Sequence, residues 1–184
     1  MTRVWLIRHA ASTAAPRSAI GVSDPPLSDL GRKQAVHLAA TMSKEPLVRI
    51  VSSDRQRALA TARILALPHG LDIESTAALR ELDFGAWEGR SLADLWLEEP
   101  LAAKAWEGDI RSTPPSFGES VRDLERRVGM LWDSLQPLPI VGELACVAHQ
   151  GSLAVLRAVI TGEAISAAFA TRLALAGAVA VTTP

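Results

Sequence analysis

One cysteine, three lysines, four histidines and no long apolar run are what this 184-residue sequence has least of. The single cysteine excludes an intramolecular disulfide and any zinc site built from several thiolates. Cys146 lies in the apolar run 144–148 and reads as a buried core residue. The longest apolar stretch, 173–181, is far short of the roughly 20 residues that cross a bilayer. The four apolar residues after Arg3 are too few for the core of a signal peptide. A soluble, cytoplasmic protein with no membrane partner is the expectation. Charge of one sign is also missing. With 19 Lys+Arg against 20 Asp+Glu the net charge is −1, which argues against a surface for nucleic acid. Repeats and low-complexity segments are absent, and Pro114-Pro115 with Ser116 and Gly118 is a break that one turn explains. With 48% hydrophobic and 21% charged residues, the chain reads as one globular domain.

The shortage of lysine is lopsided. Sixteen arginines stand against Lys33, Lys44 and Lys104. Compositional bias explains most of this, as the 31 alanines in the same sequence suggest. Some of the arginines can instead grip an anion, because a guanidinium presents a fork of donors and keeps its charge. Arg3, Arg49, Arg122, Arg126 and Arg127 have no evident task.

Strand-like runs occur at 4–7, 47–52, 144–148 and 178–181. They are apolar on both parities, as in strands buried on both faces. Helical periodicity fills the gaps. Leu30, Ala35, Leu38, Ala39 and Met42 make one stripe, and Ala58, Leu59, Ala62 and Leu65 a second. Val121, Leu124, Val128, Leu131, Trp132 and Leu135 make a third. Strands alternating with helices predict an α/β fold, a three-layer α/β/α sandwich around a mostly parallel sheet. Ligands of such sheets bind beyond the carboxyl ends of the strands.

The first strand runs into Arg8-His9. The second ends at Ser52-Ser53 and leads to Asp54-Arg55-Gln56-Arg57, and the run at 144–148 ends in His149-Gln150-Gly151. One histidine at a strand end is an ordinary core residue; two, with Arg8 and Arg57, ask for another explanation. His37 and His69 lack such a setting and read as surface residues. An imidazole with one free nitrogen is a nucleophile. Arginines beside it suit a phosphoryl dianion and the charge that spreads over its oxygens, and a second, protonated histidine adds a donor. A carboxylic acid must then protonate the leaving alkoxide and activate water. Glu81, Asp83 and Glu88 lie in a loop-like segment with two glycines and two aromatics, and spacing does not choose among them.

Leu6-Ile7-Arg8-His9-Ala10-Ala11-Ser12 resembles the signature of the histidine phosphatase superfamily, the phosphoglycerate mutase-like family. Three more blocks agree in order: Ser52-Ser53-Asp54-Arg55-Gln56-Arg57-Ala58, the segment 79–89, and Val147-Ala148-His149-Gln150-Gly151. Asp24 to Gly31 and Gly118-Glu119-Ser120 match more weakly. The resemblance implies that His9 becomes a phosphohistidine, that Arg8, Arg57 and His149 hold the phosphoryl oxygens, and that Glu81 is the general acid. Ser12 and Gln150 are carried over as substrate-binding positions. No metal and no cofactor are implied. Arg55 is left as helix surface, Asp83 and Glu88 as loop hydrogen bonds and packing. Trp87 is assigned to packing, with a place lining the pocket as the alternative, and Trp5, Trp96, Trp106 and Trp132 to the core or a lid.

Ala10 and Ala11 depart from the usual Gly and Glu or Gln. Ala15 stands where cofactor-dependent mutases carry an Asn, which disfavours a mutase. The expectation is one domain over 1–184 with a helical lid-like insertion around 85–117. Its substrate is a small-molecule phosphomonoester, and the wording most resembles alpha-ribazole phosphatases of cobalamin synthesis. A broad-specificity or sugar-phosphate phosphatase is the nearest alternative, and a phosphate-binding regulatory module the alternative from another class. A metal site lacks a close pair such as His-x-x-x-His. A homodimer is left open.

Overall fold

The apolar run behind the N-terminus forms β1 (Arg3–Arg8), followed by β2 (Leu47–Ser53), β3 (Ile73–Thr76), β4 (Glu143–Ala148) and β5 (Ala178–Thr182). The computed structural model describes residues 2–15, 17–113, 115, 117–138 and 141–183. The strands bond in the order β3-β2-β4-β1-β5. All neighbours are parallel except β5, which runs antiparallel to β1. The helices are α1 (Asp29–Met42), α2 (Gln56–Ala66), α3 (Leu92–Glu98), α4 (Pro100–Gly108), α5 (Val121–Ser134), α6 (Gln150–Thr161) and α7 (Ile165–Ala170).

Successive strand side chains point to opposite faces, so strands apolar on both parities feed two cores. Val4, Leu6, Leu144, Cys146 and Ala148 pack with Val121, Leu124 and Val128 of α5 and Leu153 and Leu156 of α6. Ile7, Ala145 and Val147 pack with Leu38 and Met42 of α1 and Ala58, Ala62 and Leu65 of α2. This is the three-layer sandwich expected, with a mostly parallel sheet. Each fully buried Leu or Ile contributes about 1.5–3 kcal/mol by leaving water. Cys146 is one of these core residues, and burial pushes its thiol up to about 12.

The first helical stripe is as expected at Ala35, Leu38, Ala39 and Met42 and departs only at its start, where Gly31 and not Leu30 is buried. The Ser28 hydroxyl accepts from Gly31 N–H at 3.1 Å and starts α1 at Asp29. Gly31, Ala35, Leu38, Ala39 and Met42 then form the buried face, and Leu30 is exposed. Gly31 is required there: a Cβ would sit 1.9 Å from the Ala11 carbonyl oxygen. Ser120 caps α5 through Asp123 N–H at 3.2 Å, and Gly162 ends α6 in the left-handed conformation at φ 73°.

Sequence periodicity missed β3. Its Ile-Glu-Ser-Thr has one apolar residue, because it is an edge strand that buries little. Within 85–117 the chain forms α3, α4 and a turn at Gly85–Trp87. Pro114 and Ser116 of the expected break lie outside the described residues. Trp87 is buried and meets Trp106 edge-on at 5.7 Å, whereas Trp96 on α3 is exposed. His37 is exposed, and His69 is half-buried rather than at the surface.

Candidate active site

Strands β2, β4 and β1 are adjacent and parallel, so their carboxyl ends share one edge. Arg8 pairs with Ala148 across the sheet, and His9 N–H donates to the Ala148 carbonyl at 2.9 Å. His9 and His149 therefore emerge side by side, with ring centroids 5.0 Å apart and planes inclined by 58°. Both are buried.

The tautomer of His9 follows from its partner. Its Nδ1 lies 2.8 Å from the Ala10 carbonyl oxygen, which can only accept. Nδ1 thus carries the proton and Nε2 keeps its lone pair. Burial lowers the His9 pKa from 6.5 to about 3. The Ala10 carbonyl opposes that shift, while the Arg57 and Arg8 charges add to it. Ala10 is not among the non-glycine residues with positive φ, and its methyl packs with Leu27 and Ala35. The side chain that replaces glycine is therefore accommodated. The Ser28 N–H and hydroxyl hold the Ala11 carbonyl at 3.0 and 3.2 Å, which ties the 24–31 block to the loop after β1.

His149 is pushed well below the ordinary histidine value by burial first, then by His9, Arg57, Arg55 and Arg127. The expected protonated form is thus disfavoured by the protein itself. Its Nε2 is 2.9 Å from the Ser53 hydroxyl.

Arg57 is buried and is anchored by backbone. Its guanidinium donates to Ser23 O at 2.9 Å and Ile20 O at 3.2 Å, with Asp24 at 3.8 Å. Arg8 donates to Leu173 O at 2.8 Å, and its buried Nε has no partner. Burial lowers both guanidinium pKa values, and Glu81 opposes the shift in both. Two arginines are thus fastened at one edge of the fork, with donors left over.

The acid candidates separate clearly. The Glu81 carboxylate accepts Gly151 N–H at 3.1 and 3.0 Å and Leu82 N–H at 2.9 Å, at the start of α6. Asp83 accepts Gly85 N–H at 2.7 Å and shapes the next turn. Glu88 accepts Gly21 and Ser23 N–H groups at 3.0 and 2.9 Å, in the loop whose carbonyls hold Arg57. Asp83 and Glu88 are loop-holding groups, and of the three Glu81 lies among the His9 and His149 elements.

Two carried-over positions sit differently. Ser12 is half-buried and bridges Leu27 through its backbone, and its hydroxyl makes no hydrogen bond among the described residues. Gln150 uses both ends of its amide on residues 171–173: Nε2 donates to Thr171 O at 2.9 Å, and Oε1 accepts Leu173 N–H at 3.0 Å. Leu173 carries the carbonyl that holds Arg8. Arg55 is half-buried with a buried Nε that has no partner, not a helix-surface residue.

Arg127 was missed. Its guanidinium grips Glu119 at 2.7 and 2.8 Å and donates to Ala78 O at 2.6 Å and Glu81 O at 3.0 Å. It clamps the backbone of the Glu81 loop onto α5. The only sequence signal was the faint match at Gly118-Glu119-Ser120. Among the described residues no cluster of three or more His, Cys, Asp or Glu is placed to hold a metal ion.

The chain is 32% identical to the protein named "Probable phosphoglycerate mutase GpmB" of Yersinia pestis over 163 residues, 88% of this chain and 76% of that one. A mycobacterial glucosyl-3-phosphoglycerate phosphatase superposes with a TM-score of 0.89 at 30% identity, over 99% of this chain and 93% of the other. The alpha-ribazole phosphatase of Shigella flexneri superposes with a TM-score of 0.87 at 28% identity, over 98% and 90%. The histidine phosphatase superfamily (branch 1) model matches residues 4–183. With that span and with the paired histidines and arginines at the strand ends, the chain belongs to the histidine phosphatase superfamily, branch 1.

Proposed function

We propose that this protein hydrolyses small-molecule phosphomonoesters through a phosphohistidine on His9. One observation carries the reading: a buried, neutral His9 whose Nδ1–H is fixed on the Ala10 carbonyl, leaving Nε2 free beside His149. In the first step Nε2 forms a bond to phosphorus as the P–O ester bond breaks, and Glu81 gives its proton to the leaving alkoxide. In the second step water attacks phosphorus, Glu81 takes its proton, and the P–N bond breaks. Arg8, Arg57 and His149 stabilise charge on the equatorial oxygens in both steps. The arginines supply the positive charge that a metal would otherwise bring, so the reaction needs neither metal nor cofactor. Ser12 borders the phosphate-side loop, and Gln150 acts through the 171–173 segment that fixes Arg8. Residues 85–117, with α3 and α4, are the lid-like insertion of one domain over 1–184, in the cytoplasm.

The finer reading is an alpha-ribazole-5'-phosphate phosphatase, supported by the Arg-His-Ala opening, the 79–89 wording and the Shigella flexneri structure. A sugar-phosphate phosphatase is favoured by the mycobacterial structure, which has the higher identity and TM-score. The test is direct. His9→Ala should abolish the acid-labile phosphoenzyme and nearly all turnover of p-nitrophenyl phosphate, and wild-type turnover should survive EDTA. A variant with wild-type rate overturns the nucleophile. Loss in EDTA that a divalent metal restores overturns metal independence. Comparing kcat/KM for alpha-ribazole phosphate, glucosyl-3-phosphoglycerate and 3-phosphoglycerate, with product identification, decides between the substrates and a mutase.

A further inference from the structure

We infer that Glu88 is a positioning residue for the proposed reaction: it grips the far end of the peptide that anchors Arg57 and so holds that guanidinium ready for the phosphoryl group. The inference rests on the phosphomonoesterase reading for the phosphate grip, whereas the tie between Glu88 and Arg57 is a property of the fold alone.

The tie runs through one peptide unit. The Ile20 carbonyl accepts from Arg57 Nη2 at 3.2 Å, and Gly21 N–H, the other end of the same planar group, donates to both Glu88 oxygens at 3.0 Å. In a trans peptide these two ends point in opposite directions, and the one cis bond among the described residues is Gln136–Pro137. Glu88 and Arg57 therefore sit at opposite ends of one dipole, the anion at its positive end and the cation at its negative end, so that each bond polarises the other. Ser23 is used at both ends as well. Its N–H donates to Glu88 Oε1 at 2.9 Å, and its carbonyl accepts from Arg57 Nη1 at 2.9 Å. The Glu88 charge also reaches Arg57 through space, opposing the burial that lowers the guanidinium pKa.

Little else holds this loop. Val22 and Ser23 are exposed, so polar bonds rather than core packing set its shape. Among the described residues the one carboxylate in ion-pair reach of Arg57 is Asp24, at 3.8 Å, and the oxygen concerned already accepts Gln56 N–H at 2.7 Å. Glu88 in turn is fixed by its neighbours. Gly89 N–H donates to Ala19 O at 2.7 Å, and Ala19 N–H donates to Arg90 O at 2.9 Å. That short ladder sets the carboxylate against residues 21–23 and joins the base of the 85–117 segment to the Arg57 anchor.

The experiment has two arms. In the full-length protein without added ligand, Gly21 and Ser23 amides should exchange hydrogen about tenfold faster in Arg57→Ala than in wild type, because the loop loses one side of its tie. Unchanged exchange in a folded variant overturns the tie, whatever the enzyme's substrate. In the second arm, calorimetry with inorganic phosphate should show about tenfold weaker binding for Glu88→Gln, whose amide NH₂ cannot accept from the loop. In the Arg57→Ala background the same substitution should change affinity by less than about twofold, since both remove one interaction. No loss in the wild-type background, or a tenfold loss in both, overturns the positioning role. Should Glu88→Gln fail to fold, wild-type protein decides: phosphate should slow exchange at Gly21 and Ser23, and unaltered exchange at saturating phosphate overturns the inference. If wild-type protein binds no phosphate and hydrolyses no phosphomonoester, the functional reading fails and the first arm alone decides the tie.

Discussion

Replacing Gly151 by alanine should disable the proposed acid without unsettling the fold. Gly151 is buried in the first turn of α6. A Cβ built there would come 2.4 Å from Glu81 Oε1, 3.4 Å from Cδ and 3.7 Å from Oε2. These three are its nearest neighbours, and all belong to the end of one flexible side chain. The backbone has no reason to move. Alanine is also the better helix former, by up to about 1 kcal/mol. The carboxylate, by contrast, must leave the Gly151 N–H it holds at 3.1 and 3.0 Å. General acid catalysis contributes about 10²–10⁴-fold, so kcat for an alkyl phosphate should drop about 100-fold while the free energy of unfolding from chemical denaturation stays within about 1 kcal/mol of wild type. Single-turnover phosphorylation of His9 is the informative assay. It should slow strongly with glycerol phosphate and little with p-nitrophenyl phosphate, whose leaving group needs no proton. Adding Gly151→Ala to Glu81→Gln should cost nothing further, since both remove the same interaction. Wild-type kcat on the alkyl ester, or additive losses in the double variant, would refute the reasoning.

Acid should destabilise the protein through His9. Its folded pKa of about 3 lies below the 6.5 of the unfolded chain, so the unfolded state binds the extra proton, and stability present above pH 6.5 is lost as pH falls toward 3. At pH 4.5 that amounts to about 3 kcal/mol at roughly 1.4 kcal/mol per unit, and His9→Gln should show a correspondingly shallower loss in urea unfolding between pH 7 and 4.5; parallel curves contradict the assignment. Arg127→Lys keeps the charge but cannot grip Glu119 and two carbonyls together, so it should cost about 2 kcal/mol of stability and lower kcat through the Glu81 loop, leaving phosphate affinity unchanged. A loss of stability with full kcat would show that the clamp is structural only.

The chemistry was legible where the sheet's topology did the gathering. Arg8-His9 and His149 could be read as neighbours because β1 and β4 are buried parallel strands, and such strands announce themselves by apolar runs whose carboxyl ends lie at one edge. Arg57 is likewise one turn beyond β2. Other parts were not legible, for reasons of the same physical kind. β3 has too little apolar content to stand out because it lies at the sheet edge. Leu30 misled the periodicity because the Ser28 cap fixes the phase of α1. Ser53 and Arg127 act on groups 96 and 46 positions away in sequence, and no local pattern encodes such partners. Gln150 was placed at the right strand end, but its amide turns toward residues 171–173.

The preference for arginine over lysine acquires a structural meaning from this placement. Arg8 is pinned to Leu173 O, Arg57 to Ile20 O and Ser23 O, and Arg127 to Ala78 O and Glu81 O. Each uses one edge of a planar, five-donor fork on backbone. Arg127 has another edge for the Glu119 carboxylate, and Arg8 and Arg57 have other edges for the phosphoryl group proposed here. A lysine ammonium carries three donors on a single nitrogen and a flexible stem, so it could hold one carbonyl or one anion but would not fix the direction between them. The backbone anchors matter because catalysis gains from charges that need not reorganise as the transition state forms. Arg57 shows the chain of dependence most fully. Its carbonyl partners lie in the 20–23 loop, Glu88 holds that loop through the Gly21 and Ser23 amides, and Gly21 lies so close to Leu82 that a Cβ would come 1.9 Å from its carbonyl oxygen. The phosphate-side arginine and the acid-bearing loop are therefore packed as one unit, and a side chain added at Gly21 should disturb both.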